Sequence, residues 1–186
     1  MKKLFVLLLA LLSFTVTALA AEIPYLDRVQ PEYRAAAENF MFLYTSDAGL
    51  EAAKAMQQTT AQGRETITVP AKGGEAAITM YVFRPQNADS DKLPVIYYSH
   101  GGGYLFRKAM DYTARYQNLA DNTGAAVITP DYRLSTEAPF PAALNDAYNG
   151  LLYIKQNDQS LGLDGDNIVI MGDSAGGGLS ASLALY

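Results

Sequence analysis

A serine flanked by small residues, Gly172-Asp173-Ser174-Ala175-Gly176, stands directly after the apolar run Asn167 to Met171 and opens a helical stretch from Ala175 onward. A serine hydroxyl becomes a useful nucleophile where the fold exposes it, a base takes its proton, and donors wait for the oxyanion it creates. A tight strand-to-helix turn supplies the first and third of these conditions. Small flanking residues let strand and helix approach, so Ser174 is pushed out at the carboxyl edge of a sheet. The helix behind it offers unpaired N–H groups and the positive end of its dipole. The pattern alone also describes a structural turn with a surface serine, so a second feature has to decide.

That feature is His100-Gly101-Gly102-Gly103, placed directly after the apolar run Leu93 to Ser99. Without side chains, the backbone N–H groups of such a loop can turn inward and touch a substrate oxygen. Glycine-rich loops also cradle phosphate, but no Lys-Ser or Lys-Thr follows these glycines, which argues against a nucleotide loop. The two motifs, in this order and each at a strand end, predict a hydrolase that works by acyl transfer.

The elements that must hold these loops can be read from the pattern. Glu65 to Val69 and Ala76 to Arg84 read as strands, joined by a turn at Lys72-Gly73-Gly74. Short apolar runs follow at Leu93–Ser99, Ala125–Pro130 and Asn167–Met171, separated by helix candidates at Ala109–Asn122 and Pro141–Gln156. Continuous apolar runs alternating with helices predict parallel strands buried on both faces. The expected architecture is an antiparallel hairpin followed by a mostly parallel α/β sheet flanked by helices. Ala21 to Gln62 reads as a helical arm, with Ala35, Ala36, Phe40, Leu43 and Tyr44 at helical spacing and breaks at Gly49 and Gly63.

With these residues in place the chain resembles the hormone-sensitive lipase family of esterases, which have the α/β-hydrolase fold. Three stretches carry the resemblance. They are His100 to Tyr104, Asp131-Tyr132-Arg133-Leu134 through Pro139-Phe140-Pro141-Ala142-Ala143-Leu144 to Asp146, and Gly172 to Gly177. The resemblance covers about Gly63 to Tyr186. It implies Ser174 as nucleophile, an oxyanion hole from the backbone N–H groups of Gly102, Gly103 and Ala175, a small-molecule ester as substrate, and no metal or cofactor. The middle stretch is read as structural, with no catalytic role for Asp131 or Arg133.

One departure bears on activity. The mechanism needs a histidine as base, and the chain has only His100. In the resembled family that histidine shapes the glycine loop, and the chain order is serine, then Asp or Glu, then His. The expectation is therefore that these residues are the N-terminal portion of a longer protein, incomplete at the carboxyl end. The chain alone is then inactive, and Ile168-Val169-Ile170 is left as an apolar edge strand prone to aggregation. A non-catalytic small-molecule binding protein on the same scaffold is the alternative, and an amide or peptide hydrolase is a third reading that the motifs do not separate from the first.

Composition narrows the class. The 186 residues are 49% hydrophobic and 18% charged with a net charge of −5, ordinary for a globular chain and unsuited to nucleic acid, which calls for a basic footprint. Lys2 and Lys3, the apolar run Leu4 to Val16 and Ala18-Leu19-Ala20 predict a signal peptide over residues 1–20, cleaved after Ala20. The run is too short to span a bilayer, for which about 20 apolar residues are needed, so no stable membrane span is expected after cleavage. A periplasmic or secreted protein follows, with no cysteine and hence no disulfides. The expected organisation is a leader over 1–20, an arm over 21–62 and a hydrolase domain over 63–186. Nothing in the sequence sets the oligomeric state.

Overall fold

The computed structural model describes residues 26–38, 46–55, 64–88, 90 and 92–186. The expected leader and its cleavage site lie outside these, as do Phe40, Leu43, Tyr44 and Gly63. The chain forms two compact units, Met1–Glu51 and Ala52–Tyr186.

In the first unit, single 3-10 turns at Leu26–Arg28 and Pro31–Tyr33 lead into helical backbone over 34–38. Arg34 stitches them together, its guanidinium donating to the carbonyls of Val29 at 3.0 Å and Asp27 at 3.2 Å. Helix α1 spans Asp47–Ala55, beginning in the first unit and ending in the second. The expected break at Gly49 is a correction: Gly49 lies inside α1. Ser46 starts the helix, its hydroxyl accepting the Gly49 N–H at 2.9 Å. A serine whose hydroxyl accepts the N–H of the third helical residue is an N-cap, and it outweighs the modest helix penalty of the glycine.

The second unit is a five-stranded sheet in the order β1-β2-β4-β3-β5, with β1 at Glu65–Val69, β2 at Ile78–Phe83, β3 at Leu93–Ser99, β4 at Ala126–Pro130 and β5 at Leu163–Gly172. β1 and β2 form the expected hairpin. Its turn has Gly73 at φ 62° and Gly74 at φ 88°, the two positive angles that let a two-residue loop follow strand twist. β2 pairs antiparallel with β4, and β4, β3 and β5 run parallel, so the sheet is mixed.

Helix α2 spans Thr113–Thr123, entered through a 3-10 turn at Ala109–Tyr112; α3 spans Ala142–Asn157 and α4 Ala175–Leu185. Side chains of β3 alternate between two cores. Val95 and Tyr97 join Ile128, Ala147, Ile154, Leu179 and Leu183 on the α3 and α4 face. Ile96 and Tyr98 join Val127, Tyr116 and Ala120 on the α2 face. This placement follows from handedness. From β3 the chain steps one way through α2 to β4, then back past β3 through α3 to β5. Right-handed crossovers in opposite directions put their helices on opposite faces. β3 is thus the strand where the order reverses, and in open α/β sheets the crevice at the carboxyl ends beside such a strand is where ligands bind.

β5 starts earlier than the apolar run suggests, at Leu163, because Leu163 pairs with Leu93 before an irregularity ahead of Val95. Asp164-Gly165-Asp166 hid this start. β5 is the last strand of the order, and Val169 on it is 55% exposed. Among the described residues no helix is long and apolar enough to cross a membrane.

Candidate active site

The last residues of β3 and β5 are register partners, Ser99 opposite Gly172. The two motif loops therefore leave adjacent parallel strands at the same level. A β-carbon on Gly101 would lie 2.9 Å from Asp173 Oδ2 and 3.3 Å from the β-carbon of Ser174, so the glycine loop rests on the serine turn.

Ser174 is exposed, at φ 51° and ψ −124°. A non-glycine residue held at positive φ is strained and persists only where its surroundings over-determine it. Here the close packing of the turn does so. A β-carbon on Gly172 would lie 2.4 Å from the carbonyl oxygen of Gly176, and one on Gly176 would lie 2.1 Å from that of Ser99. Ala175 is the first residue of α4, where backbone N–H groups have no acceptor within the helix.

Gly102 sits at φ 127° and Gly103 at φ 64°, and Tyr104 and Arg107 are also held at positive φ. The Gly102 carbonyl accepts N–H bonds from Leu105 at 3.1 Å and Phe106 at 3.2 Å. This closes the loop so tightly that a β-carbon on Gly102 would lie 1.9 Å from the Phe106 oxygen. The loop points its carbonyl back into itself.

His100 is fully buried. Its Nδ1 lies 2.8 Å from the Gly101 carbonyl, which fixes that nitrogen as the donor and leaves Nε2 unprotonated. The ring stacks on Tyr132 with centroids 4.2 Å apart, and the Tyr132 hydroxyl donates to the His100 carbonyl at 2.6 Å. Burial pushes the His100 pKa below its ordinary value, so the ring is neutral. It braces the root of the glycine loop.

Asp173 turns its carboxylate toward the α2 face. It accepts a bond from the Tyr98 hydroxyl at 3.1 Å and lies 3.9 Å from the Arg115 guanidinium. Burial and then the Asp173 charge push the Tyr98 phenol up to about 12, which keeps it a donor. Arg115 also covers the Tyr98 ring, 5.4 Å from its centroid.

The middle stretch braces the glycine loop from the other side. Ser135 donates its N–H to the Tyr104 carbonyl at 2.8 Å, and Glu137 pairs with Lys108 at 3.0 Å. Arg133 is bound through Nε and Nη2 to the fully buried Asp146, and it also reaches Glu75 at the hairpin turn. Asp131 accepts the Ala109 N–H at 3.2 Å. Sequence reasoning missed Tyr98, Arg115 and Tyr132 as parts of the site. Only strand alternation could have flagged Tyr98, and nothing local marks Arg115. Among the described residues, no group of three or more His, Cys, Asp or Glu side chains is placed to hold a metal ion.

A model of the alpha/beta hydrolase fold matches residues 96–186. An esterase of Gibberella moniliformis is 34% identical over 119 residues, covering 64% of this chain and 37% of the relative. Human hormone-sensitive lipase is 34% identical over 102 residues, covering 55% of this chain and 9% of that protein. The chain has the α/β-hydrolase fold and is similar, over about half of its length, to hormone-sensitive-lipase-like esterases. The solved hyperthermophilic esterase of the archaeon Pyrobaculum calidifontis is 32% identical with a TM-score of 0.61, over 94% of this chain and 52% of that one. The chain thus spans about half the length of this solved relative, and little more than a third of the Gibberella esterase.

Proposed function

We propose that the protein hydrolyses carboxylic esters through an acyl-enzyme on Ser174. The observation that carries this reading is the register of Ser99 with Gly172, which lays the glycine loop against an exposed, strained serine. Ser174 Oγ attacks the ester carbonyl, and the oxyanion is held by the N–H groups of Gly102, Gly103 and Ala175. The alcohol leaves, and water then releases the acid. The relatives named as esterases and a lipase favour esters over amides.

His100 does not serve as base in this proposal, because its ring is enclosed and its Nδ1 is engaged with Gly101. It is also the chain's single histidine. The base and the carboxylate that orients it come from residues after Tyr186, in the order serine, acid, histidine. The 186-residue chain alone then shows almost no turnover. We further propose export to the periplasm or medium, from the leader pattern of residues 1–20. The buried state of the single histidine favours one other reading, a ligand-binding protein on the same scaffold.

The test is to read the source gene past the codon for Tyr186 and to assay the protein it encodes on an aryl acetate. Turnover that Ser174→Ala lowers by roughly 10⁶ in kcat supports the proposal. Turnover that survives Ser174→Ala overturns it. A gene that stops at Tyr186 leaves the binding protein.

A further inference from the structure

Arg107 is exposed and held at φ 75°. A long side chain on a backbone at positive φ costs energy and persists only where its surroundings impose it, a mark of functional sites. Its stem is fixed against the glycine loop. A β-carbon on Gly102 would lie 2.8 Å from the Arg107 β-carbon and 2.9 Å from its γ-carbon. On Gly101, the residue before, a β-carbon would lie 3.3 Å from the β-carbon of Ser174. Ser174 and Arg107 therefore rest on consecutive residues of one loop. Gly103, Arg107 and Ser174 are all exposed.

The guanidinium of Arg107 lies over the Tyr112 ring, 5.9 Å from its centroid. Among the described residues no carboxylate stands within ion-pair distance of it. The cations nearby are compensated. Arg115, also exposed, has Asp173 at 3.9 Å, and Lys108 is paired with Glu137 at 3.0 Å. Asp111 accepts the Lys108 backbone N–H at 3.0 Å. Tyr112 stands within the field of all these groups. Burial pushes its phenol up, the Arg107 charge pulls it down, Asp173 and Asp111 push it up, and Arg115 pulls it down. A rim thus runs from the glycine loop through Arg107 and Tyr112 to Arg115 and Asp173, the residue next to Ser174. Among the described groups of that rim, Arg107 supplies the positive charge that no carboxylate answers.

We propose that Arg107 is a specificity residue whose guanidinium receives a carboxylate carried by the substrate, beside the bond that Ser174 attacks. The substrate class is then an ester bearing one free carboxylate, such as the hemiester of a dicarboxylic acid. That the ligand is an ester rests on the acyl-transfer reading; that the rim takes a carboxylate does not. The planar fork of a guanidinium matches the two oxygens of a carboxylate, and the aromatic face beneath it steadies the fork. One unanswered charge suits a monoanion. A phosphate dianion would set a second negative charge near Asp173 and Asp111 with no cation to offset it. Glycine would adopt φ 75° freely, so Arg107 carries a conformational cost that a binding role accounts for.

The experiment uses the whole protein that the source gene encodes. Binding is measured first by calorimetry, in Ser174→Ala, with two amide probes that each carry a carboxylate. Succinamate places it on the acyl side and 4-acetamidobenzoate on the leaving side; butyramide and acetanilide are their neutral counterparts. At least one anionic probe should bind more tightly than its counterpart. Arg107→Gly, which removes the guanidinium and relaxes the backbone, should weaken that binding about tenfold or more, as expected for a charge-assisted hydrogen bond. Arg107→Gln decides the matter if the glycine variant fails to fold. Turnover is measured second. The ratio of kcat/KM for monoethyl succinate to that for ethyl butyrate, or for 4-acetoxybenzoate to that for phenyl acetate, should fall by a similar factor in Arg107→Gly. Anionic probes that bind no better than neutral ones overturn the proposal, as does binding that Arg107→Gly and Arg107→Gln leave unchanged, even where Ser174-dependent turnover stands. Binding that depends on Arg107 without turnover that depends on Ser174 keeps the carboxylate site and refutes the acyl-transfer reading instead.

Discussion

A β-carbon added to Gly176 would lie 2.1 Å from the backbone carbonyl oxygen of Ser99, two residues on different elements that meet where α4 leaves the serine turn. The obstructing atoms are backbone on strand β3, which is hydrogen-bonded on both sides, so they cannot swing aside as a flexible side chain would. Gly176→Ala is expected to destabilise the chain by about 3 kcal/mol, the upper part of the range for overpacking. Urea unfolding measures it. A loss under about 1 kcal/mol would show that the turn opens freely and that the close approach is not what holds Ser174 in place.

Val169 governs a second expectation. It lies on the terminal strand of the sheet order and is 55% exposed. An apolar strand with an unpaired edge templates association. The 186-residue chain should self-associate at micromolar concentration, and Val169→Lys should shift it toward monomer in sedimentation velocity. A wild-type chain that sediments as one monomer and melts cooperatively refutes this. The lysine variant is also the background of choice for the stability measurements.

Arg133 and Asp146 yield a third. Asp146 is fully buried, and Arg133 provides two of its nitrogens to the carboxylate. Arg133 also carries the pull of Glu75, so the hairpin, α3 and the end of β4 meet on one guanidinium. Arg133→Met leaves a buried carboxylate unpaired and should cost about 3–5 kcal/mol. Arg133→Met with Asp146→Leu should recover much of that, since both charges are then gone. If the double variant is as unstable as the single one, the ion pair is not the source of the loss.

These particulars show what could be read before the structure. The strands, the hairpin turn and both motif loops were legible because each depends on local pattern: apolar runs, paired glycines, glycines around a serine. The bracing was not. Tyr132 stacks on His100, Tyr98 reaches Asp173, and Ser135 holds the Tyr104 carbonyl, each across a long stretch of chain that no periodicity connects. The start of β5 was hidden because Asp164-Gly165-Asp166 interrupts its apolar run, while the pairing of Leu163 with Leu93 is a tertiary matter. Gly49 misled because a helix start set by Ser46 overrode its preference to break one.

His100 carries the last prediction, and its sign can be worked out. Burial disfavours the charged ring, and Lys108 acts in the same direction, while the Gly101 bond and the charges of Asp131 and Asp111 oppose it; the net pKa is below the ordinary 6.5. The unfolded chain therefore binds more protons than the folded one as pH falls below about 6.5, and stability declines with acidification in that window. The loss is read as the slope of stability against pH between pH 7 and pH 5.5. Glu75 and Glu137 also have lowered pKa values, but their contributions are held above their ordinary 4.5 and fade only below it, so the windows separate. Because the chain has one histidine, the Hε1 proton of its ring is assigned without ambiguity in an NMR spectrum. In the folded chain that signal should titrate below the ordinary 6.5, and the stability slope between pH 7 and pH 5.5 should vanish in His100→Gln. A ring that titrates near 6.5 would mean that solvent reaches it. The enclosure by Tyr132 and Gly101 would then not describe the loop, and His100 would return as a candidate for proton transfer.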